Sequence, residues 1–261
     1  MKKLFAFDID GTLLTADKRI LPSTKEALKL IQAEGHEIML ASARPPLGIE
    51  PLLEEFGARS LYISLNGSLV VDGDRFILDQ PIPEEGVQQT LDLAREYGLS
   101  INLYSERHWF IEEENPYSTK EGEIVRARPE LADFSQVTKV HKLLIIGSEQ
   151  AISRFQPELQ AKAPLLNVSI STPTYCEVVA GEVSKASALK FVCEYLGIGL
   201  ENTIAFGDGE NDLEMLTTAG TAVAMGNSHP SLFEHADYVT LTSDEDGILE
   251  GVRWALSSFR D

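Results

Sequence analysis

The sequence predicts an α/β protein with a doubly wound, Rossmann-like parallel-sheet core and an inserted α+β cap domain, because two patterns succeed each other along it. Short apolar strands alternate with helical repeats in the first third of the chain and again towards its end. The links between them are short, which favours parallel strands joined by right-handed crossovers. The intervening part mixes helices with alternating strands. We therefore predict a core of residues 1–82 and 181–261 and a cap of residues 83–180.

The first core strand is the continuous apolar run from Leu4 to Ile9. Ser23 and Glu26 have the spacing of a capping box and predict the start of a helix, which Gly35 ends. The next strand, helix and strand are predicted at residues 37–42, 47–56 and 61–65. This order is the basis of the parallel-sheet prediction.

The second part of the core repeats the alternation. Its helices are predicted at residues 184–196, 212–219 and 248–256, and its strands at residues 203–206, 221–224 and 238–241. In the cap, the pattern predicts an amphipathic helix around residues 87–94 and strands at residues 101–104 and 141–147. The proline-containing stretch at 80–83 and Gly181 mark the two boundaries of the cap.

The charge balance limits the partners that this chain can have. Its 261 residues include 41 Asp and Glu against 22 Lys and Arg, a formal net charge of −19, which disfavours nucleic acid and anionic membranes. Asp8 and Asp10 interrupt the apolar start before it reaches signal-peptide length, and no apolar run is long enough to span a bilayer. We therefore expect a cytoplasmic monomer or homodimer, with Cys176 and Cys193 as buried free thiols.

Two acidic clusters each follow a predicted core strand. Asp8 and Asp10 follow the first strand, and Asp208 and Asp212 follow a later one. Each cluster alone is also compatible with an acidic turn. A calcium-binding loop does not fit, because its glycine stands at the sixth position, whereas Gly11 is the fourth residue counted from Asp8. Ligands bind at the carboxyl ends of strands in open α/β sheets, and converging carboxylates require a cation, for which these oxygen ligands favour Mg²⁺.

Groups that could bind phosphate come from three other places in the sequence. Ser42 and Ala43, at the end of the second predicted strand, offer a hydroxyl and backbone N–H groups. Lys185, in the first turn of a helix, offers a compact positive charge, and Asn211 offers an amide donor. These donors indicate a phosphorylated ligand at an otherwise acidic edge of the sheet.

The acidic clusters match two motifs of a known family. The stretch DIDGT at residues 8–12 resembles the first motif of the haloacid dehalogenase-like hydrolases, and GDGEND at residues 207–212 resembles the fourth. Ser42 and Lys185 lie between them, in the order of the second and third motifs. The combination of these motifs in this order is highly specific for the family.

The resemblance extends to one branch of the family. Asn66-Gly67 and the residues from Val183 to Leu189 are similar to the Cof-type branch, whose members carry an α+β (type IIB) cap between the second and third motifs. The resemblance in motifs covers about residues 1–80 and 180–261. The cap is similar in position and size alone.

The resemblance implies a Mg²⁺-dependent phosphatase that acts on a small phosphorylated metabolite, such as a sugar phosphate. Asp8 would be the nucleophile that forms an aspartyl phosphate, and Asp10 would protonate the leaving oxygen and then deprotonate the attacking water. The implied Mg²⁺ ligands are Asp8, the backbone carbonyl of Asp10, Asp208 and, through water, Asp212. The implied phosphate ligands are Ser42, the backbone at Ile9 and Ala43, Lys185 and Asn211.

The second motif departs from the usual pattern of the branch. Cof-type relatives commonly have Thr-Gly-Arg, whereas this chain has Ser42-Ala43-Arg44. Serine keeps the hydroxyl, while alanine keeps the N–H group but not the freedom of glycine at positive φ. We expect the phosphate contact to be retained, and the backbone geometry at Ala43 is left open.

Two alternatives to the phosphatase stay open, and two other reactions are disfavoured. A phosphomutase of the same superfamily would use the same core chemistry, and this alternative stays open. A protein that binds a phosphorylated metabolite without turnover is a second alternative, against which the pairing of Asp8 with Asp10 argues. Halide removal needs neither a metal nor a second acid, and phosphonate cleavage usually lacks the acid at position 10, so Asp10 and Asp208 argue against both.

The cap of such proteins closes over the site and contacts the leaving group. Arg44, from the core, is a candidate substrate ligand. The candidates in the cap are Tyr104, Glu106, His108, Trp109, Arg128, Tyr175 and Glu177. For each of them, a purely structural role is an open alternative. The linkers near residues 80–83 and 180–182 lie where hinges for a cap movement would be.

Overall fold

Two β-sheets organise the structure, a computed structural model that describes residues 1–57 and 61–258. In these residues one sheet has eight strands and the other has six. In chain order the strands are β1 (Leu4–Phe7), β2 (Glu37–Ala41), β3 (Leu61–Ser64), β4 (Leu69–Asp72), β5 (Arg75–Asp79), β6 (Ser100–Ser105), β7 (His108–Ile111), β8 (Glu130–Leu131), β9 (Lys142–Ile146), β10 (Leu166–Thr172), β11 (Tyr175–Ala180), β12 (Thr203–Gly207), β13 (Thr221–Ala224) and β14 (Tyr238–Val239). The helices are α1 (Pro22–Ala33), α2 (Pro46–Phe56), α3 (Glu84–Glu96), α4 (Pro116–Val125), α5 (Glu149–Lys162), α6 (Lys185–Leu196), α7 (Leu213–Thr218), α8 (Pro230–Phe233) and α9 (Gly247–Ser258).

The larger sheet has the order β14-β13-β12-β1-β2-β3-β4-β5. The strands from β14 to β3 pair in parallel, and β4 and β5 add an antiparallel hairpin at one edge. The first strand of the chain therefore lies in the middle of the sheet, between β12 and β2. This is the doubly wound α/β core that the sequence predicts, and the predicted fold class is confirmed.

Helices cover both faces of the larger sheet. On one face, apolar residues of α1, α2 and α9 pack against Phe5 and Phe7 of β1. On the other face, α6 and α7 pack against Leu4 and Ala6 of the same strand. Because successive side chains of a strand point to opposite faces, a strand covered on both sides is apolar throughout. This explains why the first polar side chains of the chain's central strand appear only at its end.

The start of α1 differs from the prediction. The helix begins at Pro22, one residue before the predicted cap, and Leu21 at its N-cap makes no side-chain capping bond. Ser23 instead donates its hydroxyl to Asp246 Oδ1 at 2.5 Å. The predicted capping box of Ser23 and Glu26 is therefore wrong. Proline at the first helical position has no N–H group to satisfy, which lowers the need for a capping side chain.

The hairpin of β4 and β5 was not predicted. The sequence Asp72-Gly73 indicates the turn between the two strands, and Gly73 has a positive φ of 62° there. The strands themselves are short, and β5 is only partly buried, so its apolar alternation is weak. This hairpin extends the larger sheet towards the smaller one, and its last residue, Asp79, contacts the smaller sheet.

The smaller sheet has the order β10-β11-β9-β6-β7-β8 and is mostly antiparallel. Helices α3 and α5 cover one of its faces. The opposite face packs onto the core, where Tyr104 and Trp109 share an apolar cluster with Leu65 and Leu69. This arrangement is the predicted α+β insertion. The exact division of the chain at 82/83 and 180/181 stays a prediction.

Polar contacts join the two sheets at the end of β5. The side chain of His141 is fully buried, and its Nε2 lies 2.8 Å from Asp79 Oδ1. Its Nδ1 accepts a hydrogen bond from the N–H of Glu106 at 3.1 Å, so the imidazole is held as the neutral Nε2–H tautomer. Lys139 forms an ion pair with Asp79 beside it. The end of β5, just before the first linker, is thus held to the inserted domain by charged and buried groups.

Two further expectations concern the chain as a whole. Within the described residues, every helix is too short or too polar to cross a lipid bilayer. Cys176 in β11 and Cys193 in α6 are both buried and free, as predicted.

Candidate active site

Strand ends meet at one edge of the larger sheet. β1 pairs in parallel with β12 and β2, so that Phe7 lies opposite both Phe206 and Leu40. Asp8 therefore follows β1 at the level of the residues that follow the two neighbouring strands. Its N–H donates to the carbonyl of Phe206 at 3.0 Å. This register brings Asp8 next to the loop that carries Asp208.

A buried carboxylate cluster occupies this edge. Asp8, Asp208 and Asp212 offer carboxylate oxygens that all lie within 4.8 Å of one another. The ammonium group of Lys185 lies between two of them and donates to Asp8 Oδ1 and Asp212 Oδ1, each at 2.6 Å. The side chain of Lys185 is fully buried. The structure thus brings together four of the residues that the sequence predicted for this site.

The cluster carries more negative charge than Lys185 compensates. Burial raises the pKa of Asp8 well above its ordinary value, and the neighbouring carboxylates add to this against the opposing charge of Lys185. Burial and the charge of Asp212 also raise the pKa of Asp208 to about 6, although the hydrogen bond from Thr12 opposes the shift. A divalent cation prefers such hard oxygen ligands. It would also compensate the negative charge of carboxylates that lie this close together. The residues present therefore fit a divalent metal ion.

The loop after β1 is shaped to approach Asp208 closely. Gly11 has a φ of +87°, and a Cβ atom at this position would lie 2.3 Å from Asp208 Oδ2. Thr12 donates its hydroxyl to Asp208 Oδ1 at 2.8 Å. Gly11 therefore lets the loop approach Asp208, and the hydrogen bond from Thr12 fixes the position of the Asp208 carboxylate.

Asp212 supports the loop after β12 as well as contacting Lys185. Its Oδ2 accepts hydrogen bonds from the N–H groups of Asp208 at 3.1 Å and Gly209 at 3.0 Å. Both of its oxygens therefore have partners within the protein. This geometry favours an indirect contribution of Asp212 to metal binding, through the orientation of Asp208.

Asp10 is held apart from the carboxylate cluster. Arg44 contacts it through two hydrogen bonds, from Nε to Oδ2 at 2.6 Å and from Nη2 to Oδ1 at 2.8 Å, and Lys18 donates to Oδ1 at 2.8 Å. Burial alone would raise the pKa of Asp10, but the hydrogen bonds and charges of Arg44 and Lys18 outweigh it and lower the pKa to about 2. Asp10 is ionised in this arrangement, which is the form that accepts a proton from water.

The loop after β2, which we call the β2 loop (Ser42 to Arg44), is fixed by hydrogen bonds from the segment that follows β3. The N–H of Asn66 donates to the carbonyl of Ser42 at 3.1 Å, and that of Leu65 donates to the carbonyl of Arg44 at 3.0 Å. The N–H of Arg44 donates to Ser42 Oγ at 3.1 Å. Ala43 has a negative φ, so the alanine in place of the usual glycine causes no backbone strain here.

The segment after β3 has an unusual backbone. Leu65, Asn66 and Gly67 have φ values of 51°, 59° and 112° in succession, a left-handed run that costs conformational energy at the buried Leu65. The run turns the amide of Asn66 towards Glu177, to which its Nδ2 donates a hydrogen bond. Among the described residues, Asn66 Oδ1 has no hydrogen-bond partner although it is buried.

A cleft of about 650 Å³ is lined by strands β10 and β11, by Asn66, by the start of α6 and by the loop after β12. Its lining includes Lys185 and Asn211, which were predicted to bind phosphate, together with Asn66 and Glu177. Asp8 is nearly buried and contacts this lining through Lys185. The cleft therefore gives a small molecule access to the buried edge of the sheet.

The remaining candidate substrate residues fall into three groups. Glu177 lines the cleft, whereas Arg44 is outside the cleft lining and hydrogen-bonds to Asp10. Tyr104 is buried and donates to Glu121 Oε1 at 3.3 Å, and the partly buried Tyr175 also hydrogen-bonds to Glu121. Both tyrosines are thus hydrogen-bonded to Glu121 and lie outside the cleft lining, and their role as substrate ligands stays a prediction.

The other cap candidates lie outside the cleft lining. Trp109 is buried and donates from Nε1 to Asn102 Oδ1 at 3.1 Å. Arg128 is exposed in the segment between α4 and β8. The exposed His108 pairs with Glu130 at 2.8 Å, and Glu106 pairs with Lys139 at 3.3 Å. Ile9, Ser42 and Ala43 occupy the predicted loops, and their phosphate-binding role stays a prediction.

Sequence reasoning missed three residues that contact the site. Lys18 contacts Asp10, and Asn66 lines the cleft. Lys142, in β9, donates to the carbonyl of Ala43 at 3.0 Å. The Asn66-Gly67 pair was a usable signal, because a family motif includes it. Lys18 and Lys142 give no local signal, since only the folded chain brings them to their partners.

Comparison with known proteins agrees with this geometry. The sequence model of the family described as haloacid dehalogenase-like hydrolase matches residues 5–252. A protein of Bacillus subtilis (strain 168) with the name "Putative phosphatase YkrA" is 35% identical over 254 residues, which cover 96% of each chain.

Solved structures resemble the chain over nearly its whole length. A haloacid dehalogenase-like hydrolase from Bacteroides thetaiotaomicron has a TM-score of 0.89 at 33% identity and covers 98% of this chain and 100% of its own. The subclass IIB sugar phosphatase BT4131 has a TM-score of 0.87 at 29% identity, covering 97% of this chain and 98% of its own. The family motifs, their geometry in the fold and these matches lead to one conclusion: the chain belongs to the haloacid dehalogenase-like hydrolases.

Proposed function

We propose that this chain, a phosphatase of the haloacid dehalogenase-like family, hydrolyses a small phosphorylated metabolite through an aspartyl phosphate on Asp8, with Mg²⁺ as cofactor. The observation that carries the proposal is the contact of Asp8 Oδ1 with Lys185 Nζ at 2.6 Å, beside Asp208 and next to a cleft. A carboxylate with this surrounding has the groups that a nucleophile towards phosphorus needs.

Asp8 acts as the nucleophile in this proposal. A carboxylate and a phosphate dianion repel each other, so their approach requires positive charge at the point of contact. Lys185 supplies a buried ammonium group there, and burial strengthens its attraction for the developing charge. Attack by Asp8 on phosphorus forms the acyl phosphate and releases the alcohol of the metabolite. Attack by water on the same phosphorus then releases inorganic phosphate and restores Asp8.

Asp10 moves the protons in both steps. In the second step its ionised form, which the first step leaves behind, accepts a proton from the attacking water. In the first step it must donate a proton to the leaving oxygen, so Arg44 and Lys18 must loosen their hold on it when the substrate binds. Ser42, the backbone at Ile9 and Ala43, and Asn211 would hold the phosphoryl oxygens.

A divalent cation would be held by Asp8, Asp208 and the backbone carbonyl of Asp10, with Asp212 acting through water or through the orientation of Asp208. When bound, Mg²⁺ supplies charge neutralisation for the phosphoryl group and orients it for in-line attack. The raised pKa values of Asp8 and Asp208 support this assignment, because burial and the neighbouring carboxylates disfavour the ionised forms that a bound cation would stabilise.

The leaving group is a small hydroxylated molecule, such as a sugar. The name of the sugar phosphatase BT4131, which covers 97% of this chain, supports this class of substrate. The cleft supports it too, because Asn66, Glu177 and Asn211 offer polar groups suited to hydroxyl donors.

Release of phosphate from p-nitrophenyl phosphate tests the reaction. We expect Mg²⁺-dependent release that EDTA abolishes, and a loss of more than about 100-fold in kcat for Asp8→Asn. Asp133→Asn is the matched control, because Asp133 is exposed and only caps a short helical turn in the smaller sheet domain. Unchanged release from Asp8→Asn, or none from the wild type, would contradict the proposal.

A second measurement tests the covalent step. Borohydride reduction of enzyme quenched during turnover converts an aspartyl phosphate to homoserine, and peptide mass spectrometry locates it. We expect the change at position 8 in the wild type alone. A phosphomutase would give the same modification but return the phosphoryl group to a sugar without net phosphate release, and a binding protein would give neither result.

A further inference from the structure

Lys142 links the smaller sheet to the β2 loop. It lies in β9 and is almost completely buried. Its ammonium group donates to the carbonyl oxygen of Ala43 at 3.0 Å and lies 2.9 Å from Glu177 Oε2. A side chain of the inserted domain therefore contacts the backbone of the loop that carries Ser42.

The charge of Lys142 is balanced locally. Glu177 accepts hydrogen bonds from Lys142 and from Asn66 on the same oxygen. Burial would raise the pKa of Glu177, but the charge and hydrogen bond of Lys142 outweigh it, helped by Asn66, and the pKa is lowered. The ion pair of Lys142 and Glu177 is thus a neutral buried unit, in which the lysine still has a hydrogen bond to give to Ala43.

The contact with Ala43 fixes the orientation of one peptide plane. The carbonyl of Ala43 and the N–H of Arg44 belong to the same trans peptide and point in opposite directions. While Lys142 holds the carbonyl, the N–H of Arg44 is directed to Ser42 Oγ, to which it donates at 3.1 Å. A hydroxyl oxygen that already accepts this hydrogen bond keeps its own O–H free to donate.

The other carbonyls of the β2 loop are held from within the core. The carbonyl of Ser42 accepts from the N–H of Asn66, and that of Arg44 accepts from Leu65 and from the hydroxyl of Ser64. In contrast, the carbonyl of Ala43, in the peptide between Ala43 and Arg44, is held by Lys142 of the smaller sheet. Its orientation therefore depends on the docking of that sheet onto the core.

We propose that Lys142 is a positioning residue: by holding the peptide between Ala43 and Arg44 it keeps the Ser42 hydroxyl directed at the substrate phosphate, so that docking of the smaller sheet completes the phosphate site. This inference rests on the proposed phosphatase function. It assigns to the inserted domain a role in binding the phosphoryl group, in addition to any contact with the leaving group.

The test compares variants that keep the buried charge balanced. Replacing Lys142 alone would leave Glu177 charged and unpaired, and replacing Glu177 alone would do the same to Lys142. The informative comparison is therefore between the wild type and the double variant Lys142→Met with Glu177→Gln, because this pair of positions is neutral overall in both. We expect the inhibition constant of inorganic phosphate to be about tenfold higher for the double variant, because the hydrogen bond that orients the β2 loop is lost. Isothermal calorimetry with inorganic phosphate gives the same comparison without turnover.

A double-mutant cycle separates positioning from general stability. If Lys142 acts through the hydroxyl of Ser42, its replacement has little further effect on phosphate affinity once Ser42 is alanine. A purely structural role would give the same loss in both backgrounds. Lys139→Met is the matched control, because it removes another lysine ion pair between the smaller sheet and the core without contacting the β2 loop.

The outcomes are distinguishable from failure of the phosphatase proposal. If the wild type hydrolyses phosphate esters but the phosphate affinity is equal with and without Lys142, or falls equally in the Ser42→Ala background, the positioning role is wrong and the phosphatase stands. The same holds if Lys139→Met weakens phosphate binding as much. If the wild type releases no phosphate, the proposed function itself fails.

Discussion

Lys185 is a single buried side chain that compensates the negative charges of several aspartates. It contacts Asp8 and Asp212 at 2.6 Å each and lies beside Asp208. Burial alone would lower the pKa of Lys185, but the two aspartates outweigh it and raise the pKa, so the side chain stays charged. Its ammonium group therefore stabilises the folded acidic cluster, in addition to the attraction of the phosphoryl group that we propose for it.

Replacing Lys185 by Met tests whether this lysine stabilises the acidic cluster, and it tests the metal site at the same time. Removing one partner of a buried ion pair costs about 3–5 kcal/mol, because the aspartates are left facing each other. A bound divalent cation compensates the same charges, so we expect Mg²⁺ to raise the melting temperature of Lys185→Met by more than that of the wild type. Thermal unfolding with and without Mg²⁺ measures this, and Ca²⁺ is an informative comparison. Equal shifts in both proteins would mean that Lys185 and the metal ion do not share the cluster.

The sequence predicts residues of the site when they lie within a short motif. Asp8, Asp208 and Asp212 could be named in advance because each follows a strand whose carboxyl end has a fixed place in this kind of sheet. The partners of Asp10 could not be named in this way. Arg44 and Lys18 contact it from loops that approach only in the folded chain. The same is true of Lys142 and Ala43, which are 99 positions apart.

At the scale of single elements, the start of α6 connects the site to the left-handed segment after β3. Ser184 caps the helix by accepting a hydrogen bond from the N–H of Ser187, whose hydroxyl accepts one from the N–H of Ser184 in return. Gly67 lies so close that a Cβ atom there would be 2.3 Å from the carbonyl oxygen of Ser184. The cap therefore fixes both the first turn of α6 and the position of Lys185 within it.

Substituting the cap should affect activity more than its stability effect explains. We expect Ser184→Ala to lower the free energy of unfolding by about 1 kcal/mol, through loss of the capping bond. The matched control is Ser148→Ala, which removes the equivalent cap of α5 in the smaller sheet domain. Chemical denaturation should give similar losses for the two variants, while kcat falls for Ser184→Ala alone. A similar kcat for both variants would show that Lys185 does not depend on the cap.

The strands and helices themselves were predicted with uneven success, for physical reasons. β1, β2 and β3 are continuous apolar runs, because helices cover both faces of the sheet there, and such runs are easy to read. The hairpin of β4 and β5 has a partly exposed strand and a weaker pattern. The start of α1 was misplaced because Ser23 has a distant partner, Asp246, that no local rule includes.

At the scale of the whole molecule, His141 is a titratable group buried between the two sheets. Burial lowers its pKa from the ordinary value of 6.5, although Asp79 opposes the shift, and both ring nitrogens are occupied in the neutral form. The groups that face it include the carboxylates of Asp79 and Glu106 and the ammonium group of Lys139. Protonation would place a second N–H against the N–H of Glu106.

This histidine should make the stability of the molecule depend on pH. Because its folded pKa is lowered, the unfolded chain binds the proton more readily, so the stabilisation is present above pH 6.5 and is lost as pH falls below it. We expect the wild type to lose more free energy of unfolding between about pH 7 and about pH 5 than His141→Gln, which cannot titrate. Urea unfolding at several pH values gives both slopes. Parallel slopes would mean that His141 is protonated equally in the folded and unfolded chain.

The alternation of elements is enough to predict two domains, but it does not predict how they meet. The apolar cluster of Tyr104 and Trp109 with Leu65 and Leu69 forms between residues whose patterns are each explained within one domain. The charged contacts of Asp79 with Lys139 and His141 are likewise invisible in either part of the sequence alone. Complementarity between two surfaces is a property of the folded pair, and that is why the sequence did not predict these contacts.

The place of β1 in the larger sheet has a consequence for biosynthesis. Leu4 pairs with Thr203 on one side and with Glu37 on the other, so this central strand lacks a neighbour until β12 has been made. A chain that emerges from the ribosome in order has to leave one edge of β1 open while the whole inserted domain is synthesised. Asp8, the nucleophile that we propose, is therefore translated before the inserted domain, whereas the loop that carries Asp208 and Asp212 is translated after it. A nascent chain that stops before β12 carries Asp8 and Lys185 but lacks Asp208 and Asp212, and we expect it to be inactive.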